Sequence, residues 1–463
     1  MNGAKLKVKY IKIWYSFLLI AAMTIDVPQV MAQGKLVDET PKALSSPATT
    51  MTLPDYVRAT EGTSEEARHP GFGSPNAVNN QMESDHAEKD VLYESKLLKP
   101  YFEYQAVLKE KYGFSFGGDY TSVYLKASNS LQGTDDYASS GMVRLYGSWG
   151  LLGRGTNTTG KLVYKVEHRH TYTDTAPSGF SIGSLGNVGV IEPPFSDQKA
   201  RLTNLYWIQR WNKGKVVALA GFLDATDFVD IFALGSPWLH FKNFAFSTGA
   251  ATISLPEDAT LGMAAGTWLN DRIYILGGFE DTNSDPTDPF EGFNTFFHES
   301  EYFKHIEIGW TTSRENAYLD NLHLTLWHVD EREDAGVEDG WGSVLSFTHH
   351  INDRWLPFLR VGYANDGGSL LQKSVSTGLS YQPNTGEGAA GKNLIGFGAN
   401  WGQPNDTVFG SGLDDQYAFE LFYRLQVTKE LAITPDVQFL INPALDPDED
   451  NNWIFGLRAR LSF

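Results

Sequence analysis

The final stretch of the chain, WIFGLRARLSF from Trp453 to Phe463, is the segment that decides the fold. Alternate positions from Trp453 onward are apolar, whereas Arg458, Arg460 and Ser462 occupy positions between them. Because successive side chains of a β-strand point to opposite faces, this pattern predicts a strand with one apolar and one strongly polar face. Such alternation is found in half-buried strands of soluble proteins and in strands of membrane barrels. In a barrel the apolar face meets lipid and the polar face meets a water-filled lumen.

The beginning of the chain has the features of an export signal. Residues 1–12 contain four lysines, residues 13–25 are almost wholly apolar, and small residues precede a cleavage position after Ala32. A basic start, a short apolar core and a small-residue end predict a secretory signal peptide over residues 1–32. The apolar run is too short for a membrane anchor, which needs roughly 18 residues or more. Export favours the membrane barrel over a soluble β-protein.

Composition and charge narrow the class of protein further. The 463 residues include 37 basic and 56 acidic side chains, and the formal net charge of −19 argues against nucleic acid as a partner. Aromatic residues make up 13% of a chain that has 45 glycines and no cysteine, which favours a β-rich exported protein without disulfides. No long apolar run follows the signal peptide, so helical membrane spans are not expected.

The remaining sequence divides into three parts. Residues 33–82 are rich in Pro, Ser, Thr and charged residues and lack apolar periodicity, which predicts a flexible N-terminal extension. Residues 83–112 have a helical pattern that stops near Gly113, and they predict a short helical segment. We interpret this segment as a solvated hairpin on the periplasmic side, with a plug inside the lumen as the alternative. Strand patterns recur from residue 113 to residue 463.

The part from residue 113 to residue 463 has the length and pattern of a transmembrane barrel. It accommodates roughly 16 to 18 strands of about ten residues with their turns and loops, and bacterial barrels have even strand numbers. Aromatic residues at strand ends, such as Tyr417, Phe419 and Trp453, are typical of membrane interfaces. The predicted fold class is all-β: a transmembrane antiparallel β-barrel of about 16 strands, preceded by a short periplasmic helical segment.

Two blocks of this sequence resemble a known family. The first runs from Phe422 to Ala444, FYRLQVTKELAITPDVQFLINPA, and is followed by the final FGLRARLSF. The second, from Asn204 to Asp230, is NLYWIQRWNKGKVVALAGFLDATDFVD. Both are similar to the carbohydrate-selective porin family (OprB type) of the Gram-negative outer membrane. The resemblance covers about residues 97–463, and it implies a 16-stranded outer-membrane channel that admits neutral sugars by passive diffusion.

Two features depart from the pattern of this family. The tryptophan–glycine cluster that commonly precedes the family's first helix is absent, and the extension formed by residues 33–82 is longer than usual. These departures leave the role of the N-terminal region open.

Polar residues on the lumen-facing parity of the predicted strands are the candidates for solute binding. Sugar hydroxyls donate and accept hydrogen bonds, so Arg, Asp, Glu and Gln side chains can replace the hydration shell of a passing sugar. The fixed fork of arginine donors suits vicinal hydroxyls. The candidate substrate-binding residues are Arg144, Glu167, Arg169, Glu420, Arg424, Asp436, Gln438, Arg458 and Arg460. The alternative for each is a lining residue that pairs across strands and only keeps the wall hydrated.

Charge alternation along these strands predicts neutral solutes, namely mono- and small oligosaccharides, since anion-selective pores carry an excess of basic residues. Two other functions remain open: a general diffusion porin without a sugar site, and a plugged adhesion or structural barrel. Asp224, Asp227 and Asp230 lie in a stretch that folds toward the lumen in the family that this sequence resembles. An acidic surface loop fits these three residues as well.

No catalytic, metal or cofactor site is predicted, and the protein is not expected to be an enzyme. His298 and Ser300 could face one side of a strand, but no orienting group or oxyanion site is recognisable near them. The acidic residues of the stretch 281–292 do not have the spacing of a calcium loop. The expected partners are neutral sugars and outer-membrane lipid, with a homotrimer or a monomer as the assembly and the Gram-negative outer membrane as the location.

Overall fold

The computed structural model describes residues 72–87, 89, 91–314, 317–352, 354–383 and 393–463, all within the compact unit Thr52–Phe463. The predicted signal peptide, most of the predicted extension and residues 384–392 lie outside the described residues. Among the described helices, none combines the length and the apolarity needed to cross a membrane.

Sixteen antiparallel strands form a closed barrel in which each strand pairs with its chain neighbours and β1 pairs with β16. The strands are β1 Phe114–Ala127, β2 Tyr137–Leu152, β3 Thr159–Thr171, β4 Lys199–Trp211, β5 Val216–Leu223, β6 Thr260–Trp268, β7 Ile273–Asp281, β8 Tyr302–Thr311, β9 Asn321–Val329, β10 Gly340–Thr348, β11 Trp355–Asp366, β12 Leu371–Tyr381, β13 Leu394–Pro404, β14 Gln416–Gln426, β15 Leu431–Ile441 and β16 Asn451–Ser462. The predicted fold class and the predicted number of strands are confirmed.

Helical elements are short and few among the described residues. The α-helices are α1 Val78–His86, α2 Lys99–Tyr112, α3 Pro177–Leu185, α4 Gly292–Asn294 and α5 Asp406–Phe409. Three 3₁₀ turns span Ala225–Asp227, Phe244–Phe246 and Thr248–Ala251, and a π-helical turn spans Thr295–Glu299.

The alternation of side chains sorts each strand into an outward and an inward face. On β16, Trp453 and Phe455 face outward and are 44% and 56% exposed, whereas Arg458 and Arg460 face inward and are 1% and 5% exposed. A strand of period two produces this separation without any further constraint. The expectation drawn from the C-terminal stretch is therefore confirmed at the level of side-chain direction.

The two ends of the barrel differ in their connections. Short connections join β2 to β3, β4 to β5 and β6 to β7 at the end that we call the turn end. The two longest connections, residues 172–198 and 224–259, lie at the opposite end, the loop end. Outward-facing tryptophans lie near both ends, for example Trp149 and Trp355 at the turn end and Trp341 at the loop end. Short turns face the periplasm in outer-membrane barrels.

Both long connections fold into the barrel. In the first inserted loop, residues 172–198, Phe180 and Phe195 are buried against inward wall residues such as Leu125 of β1. In the second inserted loop, residues 224–259, Phe246 packs in one cluster with Phe422 of β14. These aromatic side chains replace water in the interior and hold the loops against the wall by burying apolar area.

The N-terminal part differs from its prediction. Residues 72–87, which we call the inner segment, contact inward-facing residues of the barrel near the turn end. The ring of Phe72 stacks on Trp268 at 5.7 Å, and the amide of Ser74 donates to the carbonyl of Asp227 at 2.6 Å. Helix α1 begins at Val78, within the range predicted to be a flexible extension, and it lies inside the barrel. The prediction of flexibility is therefore wrong for residues 72–82.

The segment leaves the barrel at the turn end. The amide of Leu92 donates to the carbonyl of Gln426, and helix α2 then packs beside the start of β1. This second helix ends at Gly113, whose φ of 69° is the left-handed conformation that glycine tolerates at a helix end. The stop predicted at this glycine agrees with the structure.

Candidate functional site

The nine predicted substrate-binding residues all face the barrel interior. Their exposed fractions do not exceed 7%. Because β1 pairs with both β2 and β16, the residues on β2–β3 and those on β14–β16 form one continuous arc of the wall. Closure therefore joins two groups that lie more than 200 residues apart in the sequence. We call this arc, which comprises β14, β15, β16, β1, β2 and β3, the closure arc.

Two arginines and two aspartates fasten the inner segment to the closure arc. Arg460 contacts Asp85 of α1 through two hydrogen bonds of 2.6 and 2.7 Å, and its Nε donates to Asp119 of β1 at 2.9 Å. Arg144 donates to Asp119 through Nε at 3.0 Å and also forms a close contact through Nη2. The hydroxyl of Tyr146 donates to Asp85 at 2.6 Å. Each carboxylate thus meets an arginine fork, the strongest geometry for this pair.

The charge of Asp85 depends on these contacts. Burial alone raises the pKa of Asp85, but the Arg460 guanidinium outweighs burial and lowers this pKa to about 2. A carboxyl whose pKa falls from 3.8 to about 2 contributes about 2 kcal/mol to holding the segment at neutral pH.

Arg458 connects both inserted loops to β16. Its Nη1 lies 3.2 Å from Glu192 of the first loop and also donates to the carbonyl of Pro237 in the second loop. Its Nη2 donates to the carbonyl of His240 at 2.7 Å. One buried guanidinium therefore fixes two loops relative to each other and to the wall.

Both the backbone conformation and the pKa of Glu192 differ from their ordinary values. Its φ of 52° lies in the left-handed region, which costs a non-glycine residue about 1 kcal/mol or more. Burial raises the pKa of Glu192 to about 7, although Arg458 and Lys242 act in the opposite direction. The loop thus holds its strained backbone at the residue that makes the ion pair.

The neighbouring strands β14 and β15 bind the second inserted loop. Glu420 accepts hydrogen bonds from the amides of Lys242 and Asn243 at 2.7 and 2.9 Å. The Lys242 ammonium lies 2.7 Å from Asp436, and the Asn243 side chain donates to Gln438 at 3.3 Å. Two consecutive loop residues therefore contact three of the nine predicted residues, Glu420, Asp436 and Gln438.

On the other side of the closure arc, β3 holds the end of the same loop. Arg169 bridges Glu167 of its own strand and Asp258 of the loop, with both contacts at 2.7 Å. Arg201 of β4 adds a second contact to Asp258 at 2.9 Å. Burial raises the pKa of Asp258, but the two arginines outweigh burial and lower it below its usual range.

Sequence reasoning missed a further anchoring cluster on the opposite wall. Asp230 of the second loop contacts Arg360 of β11 and lies 2.8 Å from Nε2 of His323 on β9. The amide of Asp230 donates to Glu307 of β8 at 3.0 Å. The acidic residues at positions 224, 227 and 230 are a sequence signal for the loop side of this cluster. For Arg360 and Glu307 the only signal is their position on the inward parity of their strands.

The acidic stretch of the second loop folds inward. Asp224 and Asp227 are buried beside Lys165 of β3, whose ammonium lies 3.4 and 3.5 Å from them. Burial and the neighbouring Asp227 raise the pKa of Asp224 to about 7. Of the two interpretations of this stretch, the inward fold agrees with the structure and the acidic surface loop does not.

One of the nine predicted residues lies at an open space. Arg424 of β14 borders a small cavity of about 50 Å³ at the turn end, and the other eight contact protein groups of the inserted loops, the inner segment or the wall. We call this space the turn-end cavity. It lies between the inner segment, represented by Ser84, the second inserted loop, represented by His240, and the turn-end parts of β11–β14.

Comparison with known proteins agrees with this architecture. Residues 341–463 match the family described as carbohydrate-selective porin, OprB family. The structure of OprB from Pseudomonas putida superposes with a TM-score of 0.60 at 16% sequence identity, covering 78% of this chain and 97% of that one. The resemblance to the OprB family is confirmed.

A curated relative is named a porin as well. Porin AaxA from Chlamydia felis (strain Fe/C-56) is 23% identical over 225 residues, or 48% of this chain. The match spans about half of the length of that relative, 49%. The family match over residues 341–463 and the porin-like barrel point to a channel rather than to an enzyme.

Proposed function

We propose that this chain is a channel for the passive and selective diffusion of neutral sugars, from monosaccharides to small oligosaccharides. The observation that carries the proposal is the attachment of two inserted loops to a polar inner wall by buried ion pairs. Loops fixed across the interior narrow the passage, and a polar wall offers hydrogen bonds to hydroxyl groups. The description of the matching family as carbohydrate-selective supports the same solute class.

In this proposal the wall residues have two tasks. Eight of the nine candidates, among them Glu420 and Arg458, act on selectivity by holding the loops that set the width of the passage. Arg424, at the turn-end cavity, contacts the sugar directly. Weak contacts suit this task, since a solute that binds tightly would stop diffusion.

The membrane arrangement is part of the proposal. Residues 1–32 direct export and are removed, the barrel crosses the outer membrane of a Gram-negative cell, and the turn end faces the periplasm. The outward apolar bands contact lipid. The protein assembles as a homotrimer or remains a monomer.

A liposome swelling assay tests the function. Mature protein, residues 33–463, is reconstituted into liposomes, which are diluted into isotonic solutions of glucose, maltose or a larger maltose-type oligosaccharide. We expect swelling to be fastest with glucose and to fall steeply with sugar size, because the inserted loops limit the passage. Protein-free liposomes are the control.

Two other results would assign a different function. Swelling rates that follow only the free diffusion of each sugar would indicate a general diffusion porin without a sugar site. No swelling and no ionic current in a planar bilayer would indicate a plugged barrel, an alternative favoured by the burial of all nine wall residues to 7% exposure or less.

A further inference from the structure

Helix α2 lies outside the barrel, against outward-facing aromatic residues of the turn end. The ring of Tyr101 meets the ring of Phe116 on β1 edge to face, with 5.8 Å between the ring centres. Nε1 of Trp149 on β2 donates to the carbonyl of Tyr112 at 3.3 Å. Phe116 and Trp149 both pack against Phe114 on the outward face of the wall. Because aromatic girdles mark the membrane–water interfaces of a barrel, α2 lies at the level of the interface at this end.

A second set of contacts fixes the rotation of the helix. Gln105 is buried, and its side chain donates to the carbonyl of Phe116 at 2.7 Å and lies 3.0 Å from Nε2 of His86. The ring of Phe102 meets the His86 ring edge to face at 5.5 Å. Since His86 belongs to the inner segment, Gln105 and Phe102 mark the side of α2 that faces the barrel mouth. Tyr101 marks the side that faces away from the barrel axis, which we call the outer side of α2.

The outer side of α2 is apolar and partly exposed. At 3.6 residues per turn, Tyr104 and Leu108 lie on the same side as Tyr101, from which they are three and seven residues distant. Tyr104 is 59% exposed. By the same spacing, Glu103 and Glu110 lie on the opposite side of the helix. Tyrosine has an apolar ring and a polar hydroxyl, and it is enriched where lipid headgroups meet water.

Basic groups lie beside this apolar side. Lys111 follows Tyr104 by seven residues, about two helical turns, and therefore lies on the same side. Nη1 of Arg154, on the turn between β2 and β3, donates to the carbonyl of Lys111 at 3.3 Å. The opposite end of the barrel has the reverse charge, since the eight loop-end connections contain 28 acidic and two basic residues. Cationic groups at a lipid surface attract anionic headgroups.

We propose that the outer side of α2 is a contact surface for the membrane leaflet at the turn end. Tyr104 and Leu108 lie among the lipid headgroups, and Lys111 and Arg154 bind the phosphate of an anionic phospholipid through charge-assisted hydrogen bonds. The surface continues the lipid-facing girdle of the barrel. Because the other side of α2 contacts His86, lipid bound here also holds the inner segment at the barrel mouth. The inference uses the proposed location in a membrane and is independent of the proposed solute.

Fluorescence quenching tests this surface, since the chain contains no cysteine and a single one can be introduced for labelling. Tyr104→Cys and Ala106→Cys are a matched pair, because both positions are exposed and lie on nearly opposite sides of α2. Each mature variant carries the environment-sensitive dye NBD. It is inserted into phosphatidylcholine vesicles, with or without phosphatidylglycerol, that contain a lipid spin-labelled at headgroup depth.

The dye at position 104 should report contact with lipid. We expect the spin-labelled lipid to quench it at least about twofold more than the dye at position 106. Phosphatidylglycerol should increase the quenching at position 104 at low salt, and high salt should reduce this increase. Val107→Cys, at another exposed position of α2, replaces Tyr104→Cys if that variant does not give a folded barrel.

Substitutions test the two basic groups. In the Tyr104→Cys protein, Lys111→Gln combined with Arg154→Gln should remove the increase in quenching that phosphatidylglycerol causes. Lys215→Gln is the matched control and should leave this increase unchanged. Lys215 is exposed on the short turn between β4 and β5 at the same end of the barrel, and it is not part of α2.

Three results would overturn the inference. Equal quenching at positions 104 and 106 would show that the outer side of α2 does not face lipid. An unquenched dye at position 104 in an inserted barrel would indicate that a protein partner, or water, covers this side instead. Quenching that does not respond to phosphatidylglycerol, or that responds equally in the doubly substituted protein, would refute the binding of an anionic headgroup.

Swelling of the same vesicles in sugar solutions is measured separately. A barrel that admits sugars but shows no lipid contact at position 104 would refute this inference alone. A barrel that shows the lipid contact but admits no sugar would refute the proposed function alone.

Discussion

The closure arc and the turn-end cavity use the same residue types for different purposes. In the closure arc, Arg458 and Arg460 meet the carboxylates Glu192 and Asp85, which the inserted loop and the inner segment bring to them. At the turn-end cavity, Arg424 borders a space whose described lining contains no acidic residue. The inserted segments thus bring carboxylates to Arg458 and Arg460, whereas the described lining of the cavity beside Arg424 contains none.

The largest effect on stability and conductance is expected when Arg458, which contacts both inserted loops, is replaced. Arg458→Met leaves Glu192 buried without its partner, and removing one member of a buried pair costs about 3–5 kcal/mol. We expect a lower midpoint of denaturant unfolding and a larger, noisier single-channel conductance, because both inserted loops lose their common contact.

A double variant is the control for this effect. Arg458→Met combined with Glu192→Gln removes the uncompensated carboxylate and should restore part of the stability lost in the single variant. Unchanged unfolding and conductance in Arg458→Met would show that the loops are held by apolar packing alone. The closure arc would then not differ from the turn-end cavity in the role of its arginines.

The next effect concerns the inner segment. Asp85→Asn should weaken its attachment by about 2 kcal/mol, because the neutral amide loses the ion pair with Arg460. The expected results are a higher conductance and faster proteolytic cleavage within residues 72–87. The detached carboxyl titrates near 3.8 and the attached one near 2, so the stabilisation present above about pH 4 should disappear as the pH falls toward 2.

The acid titration distinguishes this ion pair from general acid unfolding. The Asp85→Asn variant should show no change in segment cleavage between pH 4 and pH 2 beyond that of the rest of the barrel. A variant that keeps the full acid dependence of the natural protein would refute the role assigned to Asp85.

A smaller effect on stability and conductance is expected when Glu192 is replaced. Because burial raises its pKa to about 7, the folded state binds a proton more tightly than the unfolded state, and stability should fall as the pH rises from about 4.5 to 7. Arg458, Lys242 and Asp436 are the charged groups that act on it. Glu192→Gln should remove this pH dependence from the unfolding free energy and from the conductance.

Conductance recorded from pH 5 to pH 8 measures this effect. Identical pH profiles for the natural protein and the Glu192→Gln variant would assign the titration to another group. The Arg424→Gln variant is a useful comparison, since the turn-end cavity should not contribute to this profile.

The smallest effect is expected outside the barrel interior. Lys304 and Asp330 form an ion pair of 2.6 Å at the loop end, where their side chains are 47% and 27% exposed. Lys304→Gln should change the unfolding free energy by less than about 1 kcal/mol, since water screens the pair. A loss comparable with that of Arg458→Met would mean that burial is not what separates the strong contacts from the weak ones.

Much of the fold could be predicted because its signal is local. Alternation in β14, β15 and β16 identified outward residues such as Phe455 and inward residues such as Arg458, and the burial of these side chains agrees. The direction of all nine candidate residues was predicted in the same way. Their partners could not be predicted, because Arg458 and Glu192 are 266 residues apart and Arg460 and Asp85 are 375 residues apart.

The inner segment shows why local sequence patterns could not predict that this part of the chain lies inside the barrel. Helix α1, VNNQMESDH, has little apolar periodicity, so it resembled a flexible extension. Its polar side chains nevertheless find partners in the barrel: Gln81 donates to Asp119 at 3.3 Å, and Asp85 meets Arg460. A polar helix is stable in a polar interior that supplies its hydrogen bonds, which a sequence window cannot reveal.

The sequence by itself indicated an exported β-barrel of roughly 16 to 18 strands and the face on which each strand residue lies, since these follow from composition, chain length and a period of two. Only the tertiary structure decided which inward charges attach loops and which one borders a cavity. The path of the inserted loops depends on contacts between residues hundreds of positions apart. The role of Arg458 and Arg460 is therefore set by the carboxylates that the inserted loop and the inner segment bring to them.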